Sequence, residues 1–334
     1  MPDSPLRSLE ASPAYLPIAP ARFVPDIIDD VRDGLLSKPR TLPPKYFYDK
    51  RGSLLFAKIC DTPEYYPTRT EEQLLKQYSD DIIRQVKPDE ILELGSGTSR
   101  KTRRLFEACE RNGHTCNYAP FDVCAPMLEM TAEELHADYR WLTVTPMLGD
   151  YYAGLENLPA HPGRRLFLFI GSTIGNFTPA EAGLFLKDLQ KRMRSGDFLL
   201  LGIDRVKDKE VLNAAYNDKQ GITADFNLNL LQVLNRELNA DFDTSGFRHH
   251  AGFDENNSRI EMRLVSTRQQ TVELGRIEES IVFGRGDDIL TELSHKFTFT
   301  GAEALLTDCG YSIIRHYQPE NRYFSLLLSQ YLEN

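Results

Sequence analysis

Two runs, residues 166–170 (LFLFI) and 198–203 (FLLLGI), constrain this chain most. Each is continuously apolar, strand-sized and free of polar alternation. A strand that reads this way is covered on both faces, as a parallel strand with helices above and below it is. Five strand-like segments follow one another: EILELG (90–95), YAPFDV (118–123), WLTVTPMLGD (141–150), RLFLFIGST (165–173) and DFLLLGID (197–204), with helical stretches between them. Strands alternating with helices predict a doubly wound α/β sheet. Both runs are far too short to cross a bilayer.

The first strand enters a glycine-rich turn, Ile91-Leu-Glu-Leu-Gly-Ser-Gly-Thr98. Such a turn lets the backbone bend sharply and approach a ligand. Dehydrogenases use a similar turn, but here the third glycine of G-x-G-x-x-G is replaced by Arg100, and Glu93 stands just before the bend. A carboxylate there suits a cationic sulfonium cofactor with an ammonium group and is awkward beside a pyrophosphate. S-adenosylmethionine is therefore the expected cofactor, with a nicotinamide dinucleotide as the competing reading. Asp122 ends the second strand, where an acidic side chain can accept from both ribose hydroxyls. Asp150, after Gly149, ends the third, where a carboxylate can accept from an adenine amino group. Each alone can equally be a helix cap. Together they mark the edge where open α/β sheets bind ligands. Lys101 is open to two readings, a partner for the cofactor carboxylate or a solvated cation.

The formal net charge of −10 speaks against a general nucleic-acid binder. The dense basic stretch KDLQKRMR (187–194) reads as a solvated helix face. Five cysteines without a CxxC pair suit a reducing, cytoplasmic setting and no zinc site, and the seven histidines show no metal spacing. His249-His250 reads as loop. No metal is expected.

Outside the five strands, residues 1–19, rich in Pro and Ser near the start, read as a flexible N-terminus. Residues 68–86 form an amphipathic helix with Thr68 or Thr70 as its cap. Residues 208–239 are helical. SRIEMRL reads as a strand with Ile260, Met262 and Leu264 on one face. AEALLTDCGY reads as a helix ended by Gly310. The domain expectation is one domain over 70–205 and a second one joining 20–69 to 206–334.

The stretches LPPKYFYD, PEYYPTRTE, LELGSGTSRKT, GSTIGN, ITADFNLNLL, LNRELNADFD, RIEMRL and TELSHKF resemble the histidine-specific methyltransferases of ergothioneine biosynthesis, in order and spacing, from about residue 20 to the end. The resemblance implies a Rossmann-like S-adenosylmethionine-dependent methyltransferase domain with a second, α+β substrate-binding domain built from both chain ends. It implies a monomer that trimethylates the α-amino group of free L-histidine to hercynine. Tyr48 would lie near the accepting amine and the cofactor. Tyr65 would contact the imidazole, which Glu292 and Ser294 would hydrogen-bond, with Met262 packed against it. Asn176 and Tyr216 would hold the substrate carboxylate, with Gly171 of GSTIGN also on the substrate side. Glu93, Gly95, Ser96, Gly97, Lys101, Asp122, Asp150 and Tyr151 would line the cofactor. Arg205, Asn217 and Tyr151 depart from the commonest family pattern. Read without the resemblance, Tyr48 is as well a packing residue, Glu292 a surface charge, Asn176 a turn residue and Met262 core. Alternative activities are methylation of another free amino acid, arginine or tryptophan, and a silent homologue that binds without turnover.

Overall fold

The structure, a computed structural model, describes residues 15–331. Most of the expected N-terminal tail lies outside them. Residues 15–19 lie inside, and β1 (Leu16–Pro17) pairs in parallel with β5.

The core sheet is built from β2 (Glu90–Leu94), β3 (Asn117–Asp122), β4 (Thr143–Val144), β5 (Met147–Leu148), β6 (Arg165–Phe169) and β7 (Phe198–Asp204), all in parallel. Every position of β2, β6 and β7 is buried, as the unbroken apolar runs require. Alternate side chains enter two separate cores. Leu92, Phe167, Phe169, Leu199 and Leu201 pack on one face, with helices Pro179–Gln190 and Phe299–Asp308. Ile91, Leu166, Leu168 and Leu200 pack on the other, with helices Tyr66–Val86 and Arg103–Arg111.

Past β7 the chain leaves the sheet. Helices Lys209–Ala215 and Ile222–Leu238 precede β8 (Phe247–Asp254), β9 (Arg259–Ser266), β10 (Gln270–Leu274), β11 (Glu279–Phe283) and β12 (Asp288–His295). β12, β9 and β8 form an antiparallel three-stranded sheet, and β10 pairs with β11. A third hydrophobic cluster gathers here, and residues 31–59 join residues 212–289 in it. Residues from before and after the parallel sheet thus share one core.

The last two strands are placed differently from the expected boundary at 206. β13 (Tyr311–Tyr317) and β14 (Phe324–Tyr331) return to the main sheet, β14 lying antiparallel to β7, for the order β1-β5-β3-β2-β6-β7-β14-β13. The physical reason is in β14: Phe324 to Ser329 are all buried, and only a central position satisfies such a strand. Helix 66–86 also starts two residues before the expected caps. Pro67 occupies its first turn, where its missing N–H costs nothing, and Tyr65 is the N-cap without a side-chain bond. His249 and His250 lie in β8, not in a loop.

Candidate active site

The C-terminal ends of β2, β3, β5 and β6 carry the first group of expected residues. Gly95 (φ 71°) and Gly97 (φ 50°) are both left-handed, which glycine adopts without strain. The Gly95 N–H donates to Phe121 O at 2.8 Å. The Gly97 N–H donates to Asp122 Oδ2 at 2.9 Å, and Cys124 N–H to Asp122 Oδ1 at 3.0 Å. Asp122 therefore braces the turn, and a carboxylate with about four acceptor sites keeps two for a ligand. Burial pushes its pKa up against these backbone bonds. A Cβ on Gly97 meets nothing within 4 Å, so the turn faces open space. Ser96 Oγ is buried with no hydrogen-bond partner among the described residues. A Cβ on Gly95 comes 3.4 Å from the Tyr151 ring, which stands beside the turn. Asp150 caps the short helix Tyr151–Gly154 by accepting from Tyr152 N–H at 2.7 Å.

Glu93 is not an open carboxylate. It is 2% exposed, and its Oε2 accepts from Thr102 Oγ1 at 2.7 Å and from the Tyr118 hydroxyl. This oxygen fastens the turn to the helix after it and to β3. Burial pushes Glu93 up to about 7.

Lys101 has a partner that sequence reasoning missed. Its ammonium pairs with the fully buried carboxylate of Glu71 in helix 66–86. The same carboxylate accepts from Gly171 N–H at 2.8 and 2.9 Å, tying Lys101 to the end of β6. Burial works against the Lys101 charge, but Glu71 outweighs it and keeps the ammonium protonated. The signal was present: Glu71 shares one helical stripe with Leu74, Leu75 and Ile82, and a charge on an apolar stripe needs a buried partner.

The second group lines the other wall. Pro44–Phe47 is a short 3-10 turn that delivers Tyr48, and helix Lys50–Asp61 follows. Tyr48 packs edge-on to Phe56 and Phe226, with ring centroids at 5.7 and 5.9 Å. Tyr65 lies 6.3 Å from Phe56 and 6.1 Å from Tyr216. Tyr48 keeps 37% of its surface open. Its hydroxyl is nevertheless desolvated and feels Glu292, Tyr151 and Asp122, so it holds its proton well above the ordinary range. Tyr48 thus feels both the turn residues and Glu292.

Glu292 and Met262 face each other across the β12–β9 ladder, beside a bulge between Leu290 and Glu292. Met262 is 2% exposed and sits in the third cluster. Burial pushes Glu292 up to about 7, with Lys296 opposing. Ser294 Oγ accepts from Tyr216 OH at 2.8 Å. The turn Thr173–Asn176 packs on the end of β12: His295 Nδ1 lies 3.0 Å from Gly175 O, and a Cβ on Gly175 comes 2.7 Å from His295 O. Asn176 is the last residue of this turn and Gly171 precedes it. Arg205 lies away from the turn residues, bonding Phe297 O at 3.2 Å and Ser325 Oγ at 2.9 Å. Asn217 bonds Asn213 O and Ala251 O.

Behind Ser294 lies a charged cluster that sequence reasoning also missed. Lys296 Nζ donates to Tyr216 OH and Ser294 Oγ, both at 2.9 Å, and pairs with Asp204 at 3.0 Å. Asp204 also pairs with Lys207 and accepts from Tyr66 OH at 2.8 Å. Burial would raise Asp204, but Lys296 and Lys207 outweigh it and hold the carboxylate ionised. Residues 292, 294 and 296 are spaced two apart at the end of β12, the signal that could have found Lys296. Among the described residues, no group of acidic, His or Cys side chains could hold a metal ion, and no helix is long and apolar enough to cross a membrane.

A family model described as histidine-specific methyltransferase, SAM-dependent, matches residues 27–331. A histidine N-alpha-methyltransferase of Mycobacterium tuberculosis is 44% identical over 90% of this chain and 93% of its own length. A protein of the same name from Mycolicibacterium smegmatis is 45% identical over 84% of this chain and 87% of its own. Ergothioneine biosynthesis protein 1 of Neurospora crassa is 30% identical over 87% of this chain but only 33% of its own length.

Proposed function

The chain belongs to the family of SAM-dependent, histidine-specific methyltransferases, and from that premise we propose that it methylates the α-amino group of free L-histidine three times, giving hercynine. The observation that carries this reading is the surroundings of Tyr48, whose desolvated hydroxyl feels Glu292 together with Tyr151 and Asp122. A methyl donor at the glycine turn and an imidazole at Glu292 would meet beside it.

The donor site fits S-adenosylmethionine. Gly97 opens onto free space, Ser96 Oγ is a buried polar atom without a partner, and Asp122 keeps spare lone pairs. Asp122 and Asp150 would take its ribose and adenine, and Lys101 its carboxylate. The group supplies an electrophilic methyl, so the chain's task is position and electrostatics.

Glu292 and Ser294 would hydrogen-bond the imidazole, with Met262 and Tyr65 against it and Asn176 and Gly171 at the carboxylate end; Tyr216, expected there too, gives its hydroxyl hydrogen to Ser294 and so stands behind the imidazole contact. A site built for both ring nitrogens is left with unpaired buried groups when Phe or Leu enters. Tyr48 stays a neutral phenol, so it orients the amine lone pair without holding it as ammonium. Its ring can also stabilise the growing methylated cation, by on the order of 1 kcal/mol. We read the body around the third cluster as the substrate-binding part. The resemblance implies that the protein acts as a monomer, and the cysteine usage suits the cytoplasm.

The test is release of S-adenosylhomocysteine on mixing protein, S-adenosylmethionine and L-histidine. Histidine-dependent release supports the reading. Tight binding of both ligands without release would mean a silent homologue.

A further inference from the structure

We infer that Lys296 is a positioning residue that fixes the Ser294 hydroxyl as a donor, so that the site accepts histidine with a neutral imidazole in one tautomer. The inference rests on the reading of Glu292 and Ser294 as the imidazole contacts. It follows from counting donors and acceptors.

An ammonium has three N–H donors and no acceptor. Those of Lys296 meet Asp204 at 3.0 Å and the hydroxyl oxygens of Tyr216 and Ser294 at 2.9 Å. Lys296 is 4% exposed, so water does not take a share. A serine oxygen accepts through two lone pairs. One takes the Lys296 N–H and the other the Tyr216 O–H, at 2.8 Å. The Ser294 hydroxyl hydrogen is left over, and Ser294 can only donate to what lies in front of it.

The ring nitrogen facing Ser294 must therefore be bare. The other nitrogen carries the hydrogen and donates it to the Glu292 carboxylate. An imidazolium, with hydrogens on both nitrogens, meets a hydroxyl that cannot accept and a buried ammonium directly behind it. Asp204 makes the device possible: it keeps Lys296 charged in the interior, and Lys207 and Tyr66 occupy its remaining oxygen sites. Burial disfavours the Lys296 ammonium, but Tyr216 and Asp204 outweigh it and hold the proton on.

Two measurements test this. First, the intact protein is saturated with S-adenosylhomocysteine and ring-¹⁵N-labelled L-histidine, and the bound ring is observed by NMR. One protonated and one bare nitrogen at pH 8, where the Glu292 carboxyl that burial pushes up to about 7 is ionised, is the expected result. Two protonated nitrogens, or a mixture of tautomers, overturns the inference while leaving histidine as the substrate. No bound histidine overturns the underlying reading and this one together.

Second, histidine affinity is measured for Lys296→Met, Ser294→Ala and the double variant. Lys296→Met is expected to weaken binding about tenfold. In the Ser294→Ala background the same change should cost little, because the two act through one contact. Fully additive losses overturn the inference, as does a loss of S-adenosylhomocysteine affinity equal to that for histidine. Lys207 still pairs Asp204 in the variant, and if Lys296→Met fails to fold the NMR result on the intact protein decides.

Discussion

Glu93 and Glu292 are both pushed up to about 7 by burial, yet the chain uses them differently. Glu93 is a core bracket. Its folded pKa lies above the ordinary 4.5, so between pH 4.5 and 7 the native state binds more protons than the unfolded one. Stability therefore falls as pH rises through that window, by about 3 kcal/mol for this group. Glu93→Gln keeps an acceptor for Tyr118 and removes the charge. Denaturant titrations of the ligand-free protein at pH 5 and pH 8 should show the variant losing less stability than the parent, and equal losses would contradict the assignment. Glu292 is half-buried and has no hydrogen-bonded bracket of this kind among the described residues. Glu292→Ala should raise the KM for histidine about 10- to 100-fold, the worth of a hydrogen bond to a charged group, with the S-adenosylhomocysteine Kd unchanged; steady-state kinetics and calorimetry check both. Residues of this kind were legible to different depths. Asp122 and Asp150 follow from strand ends and spacing alone. Glu292, Ser294 and Tyr48 are ordinary residue types that emerged only through the family resemblance. Glu71, Asp204 and Lys296 escaped because a sequence shows which residue is charged and not which charge is buried with a partner.

At the scale of elements, patterning and end signals decided what could be read. The alternation in SRIEMRL gives β9 with every second residue buried. AEALLTDCGY gives a helix that ends before Gly310 at φ 79°. Helix 66–86 started earlier than its Thr caps implied because Pro67 opens it, and the histidine pair fell in β8 because pairing with β9 overrides a weak local preference. The element that carries Tyr48 is the most constrained. Gly52, in the first turn of helix 50–61, lies so close to Phe47 that an added Cβ would sit 1.6 Å from its carbonyl oxygen. Asp49 caps the same turn by accepting from Gly52 N–H at 2.8 Å. Gly52→Ala must push the 44–48 segment off the helix. It should cost 1–3 kcal/mol or more, seen as a lower urea midpoint, and should lower kcat because Tyr48 moves with that segment. By contrast, Thr178→Ala removes one half of a capping box on helix 179–190, far along the chain from Tyr48. It should cost about 1 kcal/mol, read in the same urea titration.

For the whole molecule, the sequence showed a parallel sheet, and the resemblance implied a second domain drawn from both chain ends, but neither showed where the last strands go. A buried antiparallel strand beside a parallel one leaves no local mark, and only the pairing of β14 with β7 puts residues 324–331 in the main sheet. Met262, which pairs with Glu292 across the ladder, and the strand that enters the glycine turn belong to separate cores, and Tyr48 feels charges from both sets of residues. The account rests on the claim that the site takes one amino acid. The most direct test is mass spectrometry of products after incubating the pure protein with S-adenosylmethionine and each free amino acid in turn. The account predicts three successive methyl additions to histidine and none to the others. Methylation of arginine, tryptophan or another amino acid in preference to histidine would contradict it.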